Sequence, residues 1–67
     1  MLKRPRRFLR LPEVEQASGY RRTAIYEKMN LGKFPKSYPL GARAVGWLDE
    51  EIENWIESRI KAAGVVK

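Results

Sequence analysis

Cysteine and histidine are both absent from this 67-residue chain. Their absence excludes disulfides, the usual zinc-ligand spacings and the nucleophile–histidine pairs of many hydrolases. A chain of this size buries only about 60% of the surface that its unfolded form exposes, so we expect one domain of marginal stability. It must fold on its apolar residues alone or gain stability from a binding partner. We predict no cofactor, no metal and no enzymatic activity.

Long apolar runs are missing as well. No stretch approaches the roughly 18 residues of a membrane span, and the charged N-terminus has no apolar segment of the kind found in signal peptides. We therefore expect a cytoplasmic protein that has no membrane partner.

Positive charge is abundant and unevenly distributed. Residues 1–48 carry 11 Lys and Arg against 3 acidic residues, whereas residues 49–67 carry 3 against 5. A basic body with an acidic final segment favours binding to a polyanion such as nucleic acid. A net charge of +6 is equally compatible with plain solubility, so charge alone leaves both interpretations open.

The first seven residues form a basic arm without apolar periodicity. It carries Lys3, Arg4, Arg6 and Arg7 around Pro5. We expect residues 1–7 to be flexible or extended. They either lie along phosphates or in a minor groove of DNA, or serve as a solubilising tail.

Two short helices are predicted next, after a brief strand over residues 8–10. The first helix begins at Leu11-Pro12 and ends at Ser18-Gly19, with Leu11, Val14 and Ala17 on its buried side. The second covers residues 22–30 and ends at Leu31-Gly32, with Ile25 and Met29 pointing inward. Two short helices joined by a tight turn that contains Gly give a helix-turn-helix outline.

Residues 34–48 predict a β-hairpin. Two prolines exclude a helix interior, and Gly41-Ala42-Arg43-Ala44 forms the turn, which places Arg43 at the tip and Lys36 near the base. We expect Trp47 and Leu40 to anchor this hairpin on the helices.

A third helix is predicted from Asp49, which should act as its N-cap, to about Gly64. Its apolar stripe includes Arg59, whose stem can lie on the core. The folded domain should span residues 8–62, with a tail over 63–67. The following residues are assigned to the core: Phe8, Ile25, Trp47, Ile52, Trp55 and Ile56.

Four segments, taken in order, resemble the AlpA-like phage and prophage regulatory proteins, which are relatives of MerR-type and excisionase domains. The final segment of that family, an acidic residue before a helix with a Trp-Ile pair, is met by residues 49–56. The combination of Gly-x-Phe-Pro with Gly-x-Arg-x-x-Gly-Trp is specific. The four segments are residues 7–14 (RFLRLPEV), 23–26 (TAIY), 32–36 (GKFPK) and 41–48 (GARAVGWL).

The resemblance covers about residues 7–60 and implies a winged helix-turn-helix fold, mainly α with a small β-hairpin. It implies a sequence-specific, DNA-binding transcriptional regulator of a prophage or genomic island that controls integrase and excision. The alternative is an excisionase-type directionality factor that acts architecturally on attachment-site DNA. Double-stranded DNA of the nucleoid is the expected partner. Further copies of the chain, bound beside it on DNA, and an integrase are further expected partners. A protein-interaction adaptor and an RNA-binding protein are the rival classes.

One position departs from the family pattern. The family often has Ser or Thr just before the second helix, where this chain has Arg21 followed by Arg22. A cation at the positive end of a helix does not help stability, but it suits a phosphate bound there.

Seven residues are predicted to contact DNA. Arg22 and Thr23 lie where recognition helices reach base edges, whereas Tyr26 fits packing under the hairpin equally well. Arg43 suits a wing contact to a minor groove or phosphate, and Lys33 and Lys36 either neutralise phosphates or are inert. The full set is Arg21, Arg22, Thr23, Tyr26, Lys33, Lys36 and Arg43.

Overall fold

A computed structural model describes residues 5–64 of the chain. It contains a short strand, two helices, a hairpin and a third helix, which is the winged helix-turn-helix order predicted from the sequence. Within residues 5–64, no helix is long and apolar enough to cross a membrane. The elements are β1 (Phe8–Leu9), α1 (Leu11–Ser18), α2 (Arg22–Asn30), β2 (Tyr38–Pro39), β3 (Val45–Leu48) and α3 (Asp49–Ala62).

The ends of α1 and α2 follow from local chemistry. The backbone N–H of Arg10 donates to the Glu13 carboxylate at 3.0 Å, which fixes the start of α1. Gly19 adopts a φ of 80° after α1, and Gly32 adopts a φ of 73° just after α2. Both are left-handed conformations that glycine adopts without a steric penalty, so each helix ends where the sequence predicts.

The sheet has three antiparallel strands in the order β1-β3-β2. The predicted hairpin forms its β2–β3 half. The predicted brief strand pairs with the other side of β3, through Phe8 opposite Leu48 and Leu9 opposite Trp47. The strand was predicted from the sequence, but its pairing with the hairpin was not. It makes β3 the central strand and ties residues near the N-terminus to the hairpin.

The core is small and draws on almost every element. Trp47, Ile25, Ile52 and Val14 are the largest fully buried side chains, and they come from β3, α2, α3 and α1 respectively. Leu9 and Phe34 complete the cluster of buried apolar residues. Because Trp47 belongs to the central strand and touches this cluster, the hairpin is held on the helices, as predicted.

Two residues expected to face the core lie on the outer side of the sheet instead. Phe8 is 43% exposed and Leu40 is 38% exposed. Side chains alternate along a strand, so burial of Leu9 directs Phe8 outward. There the Phe8 ring packs against Tyr38, with ring centroids 5.7 Å apart.

The predicted stripes of α1 and α3 are longer than the core that they cover. Ala17 is exposed at the end of α1, and only Val14 of that helix is fully buried. In α3 only the first two turns reach the core, because 14 residues extend about 21 Å along the axis. Trp55 and Ile56 are therefore half-buried, while Arg59 and Ile60 are exposed.

The prediction that Asp49 caps α3 is wrong. Leu48 occupies the N-cap position and Asp49 is the first helical residue. The Asp49 carboxylate instead accepts a hydrogen bond from the backbone N–H of Arg7 at 3.3 Å, and the backbone N–H of Asp49 donates to the Arg7 carbonyl at 3.0 Å. The buried carboxylate therefore joins the segment before β1 to the β3–α3 junction.

Candidate nucleic-acid interface

The start of α2 exposes three of the predicted site residues. Arg21 is the N-cap residue with no side-chain capping bond, and Arg22 and Thr23 open the helix on its solvent side. Ile25, on the side of the helix opposite Thr23, is fully buried. The first backbone N–H groups of a helix have no partner within the helix and carry partial positive charge. Two guanidinium groups therefore lie beside an electropositive helix end, an arrangement that suits an anion.

Tyr26 lies between this exposed surface and the core. Its ring packs edge-on against Trp47, with centroids 6.1 Å apart, and the Arg22 guanidinium carbon lies 5.7 Å from the ring centre. Tyr26 is half-buried. The packing role considered for it is therefore present, while a contact with DNA stays a prediction.

The loop after α2 carries Lys33 and Lys36, both exposed, around a buried Phe34. The Trp55 indole N–H donates to the Lys33 carbonyl at 3.1 Å, and the Phe34 and Trp55 rings meet at 4.8 Å in an edge-on arrangement. The loop is thus anchored on α3 through its backbone and its aromatic side chain. The two lysine side chains remain at the surface.

Arg43 lies in the exposed loop between β2 and β3, as predicted. A hydrogen bond from the Leu40 N–H to the Ala44 carbonyl, 2.7 Å long, closes that loop. A hydrogen bond joins β2 to α3: the Tyr38 hydroxyl donates to the Glu51 carboxylate at 3.0 Å. This hydrogen bond, together with partial burial and the Glu51 charge, raises the pKa of Tyr38.

The sequence pattern of the family described as "Prophage CP4-57 regulatory protein (AlpA)" matches residues 7–60. The chain belongs to this AlpA family. No solved structure matches it.

Two relatives of this AlpA-family chain are informative. It is 41% identical over 61 residues to the "DNA-binding transcriptional activator AlpA" of Escherichia coli K12, an overlap of 82% of this chain and 87% of that protein. It is 44% identical over 54 residues to the "Uncharacterized protein ORF88" of Enterobacteria phage P4, an overlap of 81% of this chain and 61% of the relative. The matched region therefore spans about three fifths of the length of ORF88.

In this AlpA-family chain, positive charge concentrates around α2 and the hairpin. Between Glu15 and Asp49 the sequence has six Lys and Arg and a single acidic residue, Glu27. By contrast, acidic residues open α3, where Glu50 forms an ion pair with Arg6 at 3.4 Å. The six cations of the basic segment are Arg21, Arg22, Lys28, Lys33, Lys36 and Arg43.

Not all of the cations in this region are equally available. The Lys28 ammonium lies 5.2 Å from the centre of the Tyr20 ring, and Lys28 itself is half-buried. Arg7 is the last residue of the predicted arm, and its guanidinium lies 3.4 Å from the Glu13 carboxylate. Lys3 and Arg4 fall outside the described residues.

The sequence reasoning missed the aromatic cluster that supports this surface. Tyr20 contacts Phe34 at 6.2 Å and Trp55 at 5.7 Å between ring centroids, so one tyrosine in the turn joins the loop after α2 to α3. Its position directly after Gly19 gave no periodic signal. The available signal was the Gly-x-Phe-Pro motif, because a specific aromatic residue in a loop indicates a packing role.

Proposed function

We propose that this AlpA-family chain binds double-stranded DNA in a sequence-specific manner and regulates transcription in a prophage or genomic island. The observation that carries the proposal is the start of α2, where Arg21, Arg22 and Thr23 are exposed together on a helix that Ile25 anchors in the core. The name of the 41% identical relative from Escherichia coli, a DNA-binding transcriptional activator, supports the same role.

In the proposed complex, α2 lies in the major groove. That groove is about 12 Å wide and admits a helix. Arg22 donates to a guanine edge and Thr23 contacts a base or phosphate, while Arg21 pairs with a phosphate at the helix start. Arg22, and Thr23 where it meets a base, carry the sequence preference, whereas the phosphate contact of Arg21 positions the helix.

The remaining cations of the site position the protein on the duplex. Arg43 contacts the backbone or minor groove from the loop between β2 and β3, and Lys33 and Lys36 neutralise phosphates from the anchored loop. No catalytic step is part of this proposal.

We assign the regulation to genes for integration and excision of the element. Because the core is small and one α2 covers few base pairs, several copies should bind side by side on a natural site. The competing role, architectural excision factor, requires that the chain promote excision in a purified reaction with an integrase. The transcriptional role requires activation or repression of a reporter that carries the upstream DNA.

Footprinting on DNA upstream of the genes of its own element tests the proposal. We expect the protein to protect one segment of this DNA. Random duplex and RNA of the same sequence should compete poorly for the bound protein. The logarithm of the association constant should fall linearly with the logarithm of salt concentration, with a slope of about −0.9 for each neutralised phosphate. Absence of binding to duplex DNA at low salt would overturn the proposed function.

A further inference from the structure

Glu27 is an acidic residue in the middle of the basic surface. It is the single acidic residue between Glu15 and Asp49, and it is exposed on α2. It lies one helical turn after Thr23 and about 40° from it around the helix axis. A carboxylate therefore shares the face of α2 that the proposed function places in the major groove.

The stability of the domain does not explain this carboxylate. Within residues 5–64 its side chain makes no hydrogen bond or ion pair. The positions three and four residues away are Ala24, Thr23, Asn30 and Leu31, so no cation is within reach along the helix. Glu27 is also in the C-terminal half of α2, where a negative charge is opposed by the helix dipole.

Near DNA, a carboxylate is repelled by the phosphates, and a hydrogen bond from a donor on a base is needed to offset that repulsion. In the major groove guanine presents two acceptors, adenine presents an acceptor beside its donor, and thymine presents an acceptor and a methyl group. Cytosine alone presents its N4 amino group as a donor with no acceptor on the same base edge. Cytosine is therefore the base that a lone glutamate in this position selects.

We infer that Glu27 is a specificity-determining residue whose carboxylate accepts a hydrogen bond from the N4 amino group of one cytosine in the target site. Its charge also weakens binding to every sequence that lacks a cytosine there. The inference rests on the proposed function, because it requires α2 to lie in the major groove. Arg22 then donates hydrogen bonds to the acceptors of a guanine, whereas Glu27 accepts one from the amino group of a cytosine.

The test compares Glu27→Gln with Glu57→Gln, a matched control that removes the same charge from an exposed position of α3. The probes are the duplex footprinted by the natural chain and a set of duplexes in which each base pair is replaced in turn. Affinities are measured by fluorescence anisotropy at one salt concentration. Circular dichroism and thermal unfolding of both variants establish that they fold.

For the natural chain, replacing the G·C pair read by Glu27 should weaken binding by about fivefold or more. In Glu27→Gln the cost of that replacement should fall below about twofold, because the amide adds a donor that other bases can accept and loses the charge that penalises them, while the costs at the other positions stay as they are. Binding of random duplex should become tighter. Glu57→Gln should keep the full pattern of base preferences.

Two negative results can be told apart. If the natural chain prefers its site and Glu27→Gln keeps the same preferences at every position, the inference about Glu27 fails and the proposed function stands. If the natural chain shows no base-pair preference in any duplex, the proposed function and the inference fail together.

Discussion

The Arg22 guanidinium lies over the ring of Tyr26, with 5.7 Å between the guanidinium carbon and the ring centre. The same ring packs edge-on against Trp47, the fully buried residue of the central strand. A cation over an aromatic face is stabilised by about 0.5–1 kcal/mol at an exposed site. The contact holds an otherwise flexible side chain against the core, which lowers the entropy that Arg22 would lose on binding DNA.

Tyr26→Leu is therefore expected to weaken binding to the specific site by about two- to fivefold, because Arg22 loses its aromatic support. Anisotropy titrations of Tyr26→Leu, Arg22→Ala and the double variant measure the coupling between the two residues. In the Arg22→Ala background the Tyr26 change should have no further effect on binding. Tyr26→Phe keeps the ring and its support of Arg22, so any loss of binding in this variant would report a direct contact of the Tyr26 hydroxyl with DNA. Strictly additive losses would show that the ring does not position Arg22.

The hydrogen bond between the Trp55 indole and the Lys33 carbonyl supports the loop that carries Lys33 and Lys36. Trp55→Phe removes the donor and keeps an aromatic ring against Phe34. We expect the free energy of unfolding to fall by about 1 kcal/mol, the usual net contribution of such a bond, plus a smaller loss of packing. Urea denaturation measures this, and a variant as stable as the natural chain would contradict it.

Gly46 allows the outer side of the sheet to pack closely. A Cβ at this position would lie 2.8 Å from a Leu40 methyl carbon, 3.0 Å from the Phe8 Cβ and 3.3 Å from the Leu9 carbonyl oxygen. Gly46→Ala should therefore destabilise the domain by about 1–3 kcal/mol, measured by urea denaturation. Leu40→Ala in the same chain should restore part of the loss, because it removes the nearest atom. A fully additive double variant would contradict this account of the clash.

The elements of the fold were predictable because their signals are local. Helix ends at Gly19 and Gly32 depend on residues adjacent in the chain, and so does the turn that exposes Arg43. The direction of Phe8 was not predictable in the same way. A two-residue strand has no periodicity to read, and burial of Leu9 rather than Phe8 is decided by pairing with Leu48 and Trp47, some 40 residues away in the chain.

The site was predictable to a similar degree. Exposure of Thr23 follows from helical spacing, because it lies about 160° from the buried Ile25 around the helix axis. Arg21 and Arg22 are exposed because they are at the very start of the helix. The two environments considered for Tyr26 could not be separated before the position of Trp47 was known, because they differ only in a tertiary contact. For Asp49, a helix-capping sequence signal was overridden by a backbone partner, Arg7, that lies 42 positions away.

The interactions of Glu13 at the start of α1 make the stability of the domain depend on pH. Its carboxylate accepts from the Arg10 backbone N–H and also pairs with Arg7, and these interactions lower the pKa of Glu13 against an opposing effect of burial. A lowered folded-state pKa means that the stabilisation is complete above the ordinary value of 4.5 and is lost as the pH falls through the lower, folded-state value.

Glu13→Gln removes the charge and keeps an acceptor for Arg10. It should be less stable than the natural chain at pH 7, and the difference in unfolding free energy should narrow as the pH falls below 4.5. Thermal or urea denaturation over a series of acidic buffers measures it. A difference that stays constant from neutral to strongly acidic pH would show that the charge of Glu13 does not contribute.

Arg22 and Arg43 are expected to contribute to DNA binding in different ways. Arg22 lies on the face of α2 that is proposed to read bases, so Arg22→Ala should abolish the preference at one G·C pair, a loss of about 1–3 kcal/mol of discrimination. Arg43 is proposed to meet the backbone from the loop between β2 and β3. Arg43→Ala should weaken all duplexes alike and reduce the salt slope by about 1, and Lys36→Ala should do the same.

Anisotropy titrations at several salt concentrations, on the specific duplex and on single base-pair variants of it, separate these two kinds of contribution. An unchanged pattern of base preferences in both Arg22→Ala and Glu27→Gln would remove α2 from the role of recognition helix, since these are the two residues of α2 proposed to read bases most specifically. A change in preference confined to Arg43→Ala would instead assign sequence reading to the hairpin. In that case the narrow minor groove, whose width depends on sequence, would become the feature that the protein recognises.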